Sequence, residues 1–166
     1  MTKIGLLSDT HNFLNPKVFE YFKNCDEIWH AGDIGTYGII EKLNAFKPLR
    51  AVYCNIDGFD IRKSCPEHQR FLCEKLDVWI THIGGYPGRY DTRIRELIKK
   101  KTPKLFICGH SHILKVIYDK KLNLLHINPG AAGTYGIQTV STLVRFTIEG
   151  SEIKDLEVIE LRRGNT

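Results

Sequence analysis

Seven residues of this 166-residue chain are of types and at positions that could hold metal ions: Asp9, His11, Asp33, Asn55, His82, His110 and His112. Each follows a short apolar run. Ile4-Gly5-Leu6-Leu7 leads into Ser8-Asp9-Thr10-His11, and Ile28-Trp29 into His30-Ala31-Gly32-Asp33. Ala51-Val52-Tyr53-Cys54 leads into Asn55-Ile56-Asp57, Val78-Trp79-Ile80 into Thr81-His82, and Leu105-Phe106-Ile107-Cys108 into Gly109-His110-Ser111-His112. One such ending means little, because a lone strand-end Asp more often caps a helix or sits in a turn. Five endings carry more weight: ligands of open α/β sheets bind beyond the carboxyl ends of the strands, where these residues would converge on one edge. Two carboxylates, one amide oxygen and four imidazoles, with no thiolate, suit Mn²⁺, Fe²⁺, Zn²⁺ or Ni²⁺. They do not suit a cysteine-zinc site or a calcium cage. Seven donors exceed the needs of one ion and suffice for two that share a carboxylate, the clamp used in hydrolytic phosphoryl transfer. Asp9-x-His11 and His110-x-His112 are i,i+2 pairs whose side chains would point the same way on extended backbone. Gly32 and Gly109 precede ligands where a side chain would crowd the turn.

These residues need a sheet to position them. The apolar runs are short, rich in β-branched and aromatic residues, and closed by Gly or polar turns, so they read as buried strands. Between them lie helical stripes: Val18, Phe19 and Phe22 after Pro16; Ile39, Ile40, Leu43 and Phe46; and Ile94, Leu97 and Ile98. Strand and helix thus alternate in the first half, as a mostly parallel sheet requires. Phe71-Leu72-Cys73 can pair with Val78–Ile80 as a hairpin. Two more strand pairs, Leu114–Tyr118 with Leu122–Ile127 and Thr142–Ile148 with Ile153–Leu161, predict an antiparallel sheet in the second half. The fold class expected is α/β, a two-sheet β-sandwich flanked by helices, with residues 1–166 as one domain.

Composition bounds the setting. Hydrophobic residues are 42% and charged residues 26%, enough apolar material to exclude a disordered chain. No apolar run approaches the ~20 residues of a bilayer span. Ser8-Asp9 interrupts the N-terminal run too early for a secretory h-region, so a cytoplasmic location is expected. The five cysteines form no CxxC and are odd in number, and read as small buried hydrophobes. The net charge of +5 is spread rather than concentrated, which argues against a nucleic-acid partner. Its densest run, Lys99-Lys100-Lys101, reads as a solvated helix end.

Taken together, Asp9-Thr10-His11, Gly32-Asp33, Asn55-x-Asp57, Thr81-His82 and Gly109-His110-Ser111-His112 resemble, in order and spacing, the signature blocks of the calcineurin-like metallophosphoesterases. Asn128-Pro129-Gly130-Ala131 resembles a block of the small prokaryotic phosphodiesterase branch. The resemblance spans about residues 3 to 160. It implies a β-sandwich flanked by helices and a dinuclear, metal-dependent phosphodiesterase. Asp9, His11 and His112 would bind one ion, Asn55, His82 and His110 the other, with Asp33 bridging. A hydroxide held between the ions would attack phosphorus in line, so Asp33, Asn55 and His82 would act through the metals, with manganese expected first. The chain departs from the family pattern at Cys54-Asn55-Ile56-Asp57, where the family usually has Gly-Asn-His: Ile56 stands in place of a proton-donating His. Arg89, in the Gly-rich loop after His82, could contact a substrate phosphate. His30 reads as a core or near-site histidine, His126 as a strand histidine rather than a support behind the ligands, and Asn128 as such a support. Two rival readings stand beside the small-phosphodiester hydrolase. One is a catalytically weak interaction scaffold of the same fold, the other a nuclease. Self-association is a further expectation from the resemblance.

Overall fold

Strands with apolar residues on both faces must be covered on both sides, and the central strands of this chain are of that kind. The computed structural model describes residues 1–163. In chain order the elements are β1 (Thr2–Leu7), α1 (Lys17–Tyr21), β2 (Glu27–His30), α2 (Tyr37–Phe46), β3 (Leu49–Ala51), α3 (Phe59–Ser64), β4 (His68–Cys73) and β5 (Leu76–Thr81). There follow β6 (Gly85–Tyr86), β7 (Arg89–Tyr90), α4 (Thr92–Lys100), β8 (Leu105–Ile107), β9 (Lys115–Asp119), β10 (Leu124–Asn128), β11 (Val140–Glu149) and β12 (Glu152–Arg162). Two five-stranded sheets run in the orders β12-β11-β1-β2-β3 and β4-β5-β8-β10-β9. Within them β1-β2-β3 and β5-β8-β10 are parallel, and the remaining pairs are antiparallel.

Side chains alternate between the two faces of each strand and sort into three cores. Ile4, Leu6 and Trp29 of the first sheet meet Val78, Ile80, Leu105, Ile107 and Ile127 of the second in the space between the sheets. The outer face of the first sheet, with Leu7 and Ile28, is covered by Val18, Ile39, Leu43 and Ile61 of the first three helices. The outer face of the second, with Trp79, Phe106 and Leu124, is covered by Ile94 and Ile98 of α4. All five cysteines are buried and unpaired. No helix among the described residues is long and apolar enough to cross a membrane.

The sandwich matches the expected fold class, but several details differ from the sequence reading. The antiparallel hairpins do not form a sheet of their own. β11-β12 extends the first sheet beside β1, and β9 closes the second beside β10. The third strand ends at Ala51 rather than Cys54: Val52 still donates to the His30 carbonyl, but the Tyr53 N–H turns away to the Pro66 carbonyl. α3 escaped detection because its six residues bury only Ile61, too little for a periodic signal. Leu97 lies on the solvent side of α4, 49% exposed, while Ile94 and Ile98 carry the contact.

His30, at the end of β2, is fully buried. Its Nδ1 accepts the Gly32 N–H at 3.1 Å, so the proton resides on Nε2, 3.1 Å from Thr10 Oγ1, which itself donates to the Ile34 carbonyl. Burial holds this imidazole down to about 4.

Leu105→Ala, at a fully buried site between the sheets, should cost about 2–5 kcal/mol in urea unfolding. Leu97→Ala should cost well under about 1 kcal/mol, since surface changes lie within ~0.5 kcal/mol. Between pH 6.5 and about 4 the unfolded chain binds a proton at His30 that the folded chain refuses, so stability is lost as pH falls through that window. His30→Asn should flatten the slope of unfolding free energy against pH there by up to one proton, about 1.4 kcal/mol per pH unit. An unchanged slope would contradict the buried neutral imidazole.

Candidate metal centre

The five strand ends meet at one end of the sandwich, but they belong to two sheets: β1, β2 and β3 to the first, β5 and β8 to the second. The loop after β1 is tied to the loop after β2 by Asp9 N–H to the Gly32 carbonyl (3.0 Å) and His11 N–H to the Asp33 carbonyl (3.2 Å). The loops after β5 and β8 are tied by Gly109 N–H to the His82 carbonyl (2.9 Å). The i,i+2 pairs are not extended, as the spacing suggested. Asp9, His11, Asp33, His110 and His112 all have φ between 45° and 72°, the left-handed region that L residues adopt at a cost. Tight left-handed turns, not strand pleating, bring these side chains inward.

Asp9 lies at the centre and is fully buried. Its Oδ2 accepts the Ser8 hydroxyl at 2.6 Å and the His110 N–H at 3.1 Å. Its Oδ1 has no hydrogen-bond partner among the described residues, yet His112 Nε2 lies 3.3 Å away and His11 and His82 Nε2 each 3.9 Å. His11 Nε2 also lies 2.9 Å from Asp33 Oδ2 and 3.1 Å from His112 Nε2. Asp9, His11, Asp33 and His112 thus offer ligand atoms all within 4.8 Å of one another. On the other side of Asp33 lies His82. Its Nδ1 donates to the Ala31 carbonyl at 2.8 Å, which leaves Nε2 a lone pair, buried and without a partner among the described residues. Converging lone pairs and a buried unpartnered carboxylate oxygen fit a cation and little else.

The charges respond accordingly. Burial, joined by the negative charges of Asp9 and Asp57, pushes the Asp33 carboxyl up to about 7. Burial also works to raise Asp9, but the close approach of His112, the other nearby imidazoles and the Ser8 hydroxyl outweigh it and hold it low. The Asp9 carboxylate raises His112, whereas burial lowers His11 and His82.

The remaining predicted residues are placed less tightly. The ring of His110 packs edge-on against His82 at 5.4 Å between centroids. Asn55 is exposed and shares a small cavity with His82, Cys54 and Thr81. Cys54 Sγ falls geometrically into a group with Asp33 and His82. Burial pushes that thiol up to about 11. Arg89 is exposed and borders a second cavity, which it shares with His110, away from the tight cluster.

Supporting side chains hold the loops. Asp57 accepts from the Ile34 and Gly35 N–H groups with Oδ1 and from Cys54 N–H with Oδ2, each at 2.9 Å, locking the loop after β3 to that after β2. Asn128 donates to the Gly109 carbonyl and Ser111 Oγ, fixing the turn that carries His110 and His112. A Cβ at Gly109 would sit 2.1 Å from Ser8 Oγ and 2.6 Å from Asp9 Oδ2, and one at Gly32 would sit 2.7 Å from His82 Nδ1. Both glycines exist to let ligand loops touch. Sequence reasoning missed Tyr135, exposed in the loop before β11, whose ring lies 4.7 Å from that of His11. No local pattern marks it, since its loop returns to the site only through the pairing of β11 with β1.

The family model of the calcineurin-like phosphoesterase superfamily domain matches residues 2–151. A probable metallophosphoesterase of Methanothermobacter thermautotrophicus is 28% identical over 164 residues, covering 94% of this chain and 91% of its own. A solved archaeal phosphodiesterase superposes with a TM-score of 0.76 at 26% identity, covering 96% of this chain and 99% of its own. Vps29 of Chaetomium thermophilum gives the same TM-score at 13% identity over 97% of each chain, a likeness of fold alone. The matched blocks and the cluster around Asp9 agree, and the chain belongs to the calcineurin-like phosphoesterase superfamily, a family of metal-dependent phosphoester hydrolases.

Proposed function

We propose that this protein is a dinuclear phosphodiesterase acting on small phosphate diesters. The observation that carries the reading is the double membership of Asp33, whose carboxylate belongs both to the group with Asp9, His11 and His112 and to the group with Cys54 and His82. Asp9, His11 and His112 would hold one divalent ion, and His82, Asn55 and His110 the other, with Asp33 between. Mn²⁺ is the first choice for this oxygen and imidazole set, and Fe²⁺, Zn²⁺ and Ni²⁺ are compatible with it. Two such ions supply activation of water and neutralisation of the phosphoryl oxygens in an in-line displacement. The chain's own contribution is to hold the donors. The Ala31 carbonyl fixes the tautomer of His82, Asn128 fixes the turn before His112, and burial of Asp9 keeps competing water from its free oxygen. Similarity to the archaeal phosphodiesterase supports a diester substrate. The retained ligand set speaks against a pure scaffold, and the spread net charge of +5 speaks against a nuclease. Five free buried thiols suit a reducing, cytoplasmic setting.

Chelation should abolish diester hydrolysis and Mn²⁺ or a similar ion should restore it. Asp33→Asn should lower kcat at saturating metal by more than roughly 100-fold and by more than His11→Ala or His82→Ala, since one terminal contact tunes a single ion. Activity surviving exhaustive chelation, or an Asp33→Asn protein holding two ions with near-normal kcat, would refute the shared-ligand mechanism.

Ile56, 72% exposed, has no proton to give a leaving oxygen. A positioned acid is typically worth ~10²–10⁴-fold, and poor leaving groups need it most. Across a series of aryl and alkyl diesters, kcat/KM should fall steeply as leaving-group pKa rises, with phosphomonoesters slower than diesters. A flat dependence with chemistry rate-limiting would mean that another residue supplies the proton.

A further inference from the structure

A second cavity, of about 350 Å³, opens beside His110 on the outer face of the second sheet, beneath the short β6-β7 hairpin. Its floor includes His126. On β10, Leu124, His126 and Asn128 alternate onto the outer face while Leu125 and Ile127 turn to the inter-sheet core. His126 is fully buried against Phe106, and neither ring nitrogen has a hydrogen-bond partner among the described residues. Burial, reinforced by Lys115, holds its imidazole down to about 4. It therefore offers one N–H and one lone pair, both unspent, at a cost that a structural histidine has no reason to bear.

The rim is cationic. Arg93 is answered by Asp91, whose carboxylate lies 3.5 Å from the guanidinium Nε and caps α4 by accepting the Arg93 N–H. Arg89 and Lys115 have no carboxylate within ion-pair distance among the described residues. The Lys115 ammonium is held over the Tyr86 ring at 3.7 Å. The cavity thus presents two unanswered cations at its mouth and a neutral donor-acceptor pair at its floor, and its rim reaches a proposed ligand of the metal centre, His110.

Resting on the phosphodiesterase reading, we propose that this cavity receives one substituent of the diester, and that the substituent is a hydroxylated group bearing a second negative charge, a sugar or polyol phosphate. A polyol carries several hydroxyls, so one can accept from the His126 N–H while another donates to its lone pair, and the second anion answers Arg89 and Lys115. The volume suits a group of that size and is at the low end of small-ligand sites.

The test gives the metal-loaded protein three diesters with a common p-nitrophenyl leaving group and a methyl, glucosyl or glucose 6-phosphate substituent. The kcat/KM of the glucose 6-phosphate diester should exceed that of the methyl diester by about 10-fold or more. That ratio, taken within each variant, should collapse toward one in His126→Phe and in Lys115→Gln. Calorimetric binding of glucose 6-phosphate itself to the same proteins gives a readout independent of turnover, and should weaken about 10-fold in both variants. Equal kcat/KM for the three diesters, or a preference and affinity indifferent to both substitutions, would overturn the subsite while leaving the hydrolase reading intact. Variant-sensitive binding without hydrolysis of any diester would instead sink the hydrolase reading and uphold the cavity as a sugar-phosphate site.

Discussion

The structure turns on one buried charge. Asp9 is a fully buried carboxylate with one oxygen satisfied by Ser8 and the His110 backbone, and the other left facing three imidazoles. An ionised carboxylate withdrawn from water costs several kcal/mol unless a positive charge answers it. Without an ion the answer is a proton on His112, which the Asp9 carboxylate favours. A divalent ion held with His11 and His112 would be the stronger answer, and the idle lone pair of His82 stands ready for a second. Metal affinity and the internal electrostatics of the site are thus one phenomenon.

That charge can exist only because two sheets share its burial. The first sheet brings Asp9, His11 and Asp33, and the second brings His82, His110 and His112. Each candidate donor follows a strand whose apolar residues are fixed in the inter-sheet core, so the spacing between them is set by close packing of Leu6, Trp29, Ile80 and Ile107 rather than by the loops alone. The loops add the left-handed turns that aim the side chains, and Asp57 and Asn128 lock those turns from behind. Strain in the loops is held by order in the strands.

Much of this was legible in the sequence, and what was not has definite physical causes. Strand identity and helix stripes follow from local periodicity, so the sandwich and its strand pairs could be read. Which sheet each hairpin joins is a long-range matter: the pairing of β11 with β1 leaves no local trace, and the hairpins were expected in a separate sheet. Candidate ligands could be picked out because strand ends, Gly32 and Gly109 mark them, and four of them, Asp9, His11, Asp33 and His112, come together in one cluster. Their backbone geometry could not, because a left-handed Asp or His looks like any other in sequence. The approach of Tyr135 to His11 depends on a loop that returns from over a hundred residues away. His126 could be placed in a strand, but not its two idle nitrogens, which depend on what its neighbours fail to offer.

The most direct measurement of the central claim is anomalous diffraction at the manganese edge from crystals grown in saturating Mn²⁺. The account predicts two peaks about 4 Å apart, one bounded by Asp9, His11 and His112 and one beside His82, with the Asp33 carboxylate between them. A single peak, or two peaks with Asp33 turned away from either, would contradict it.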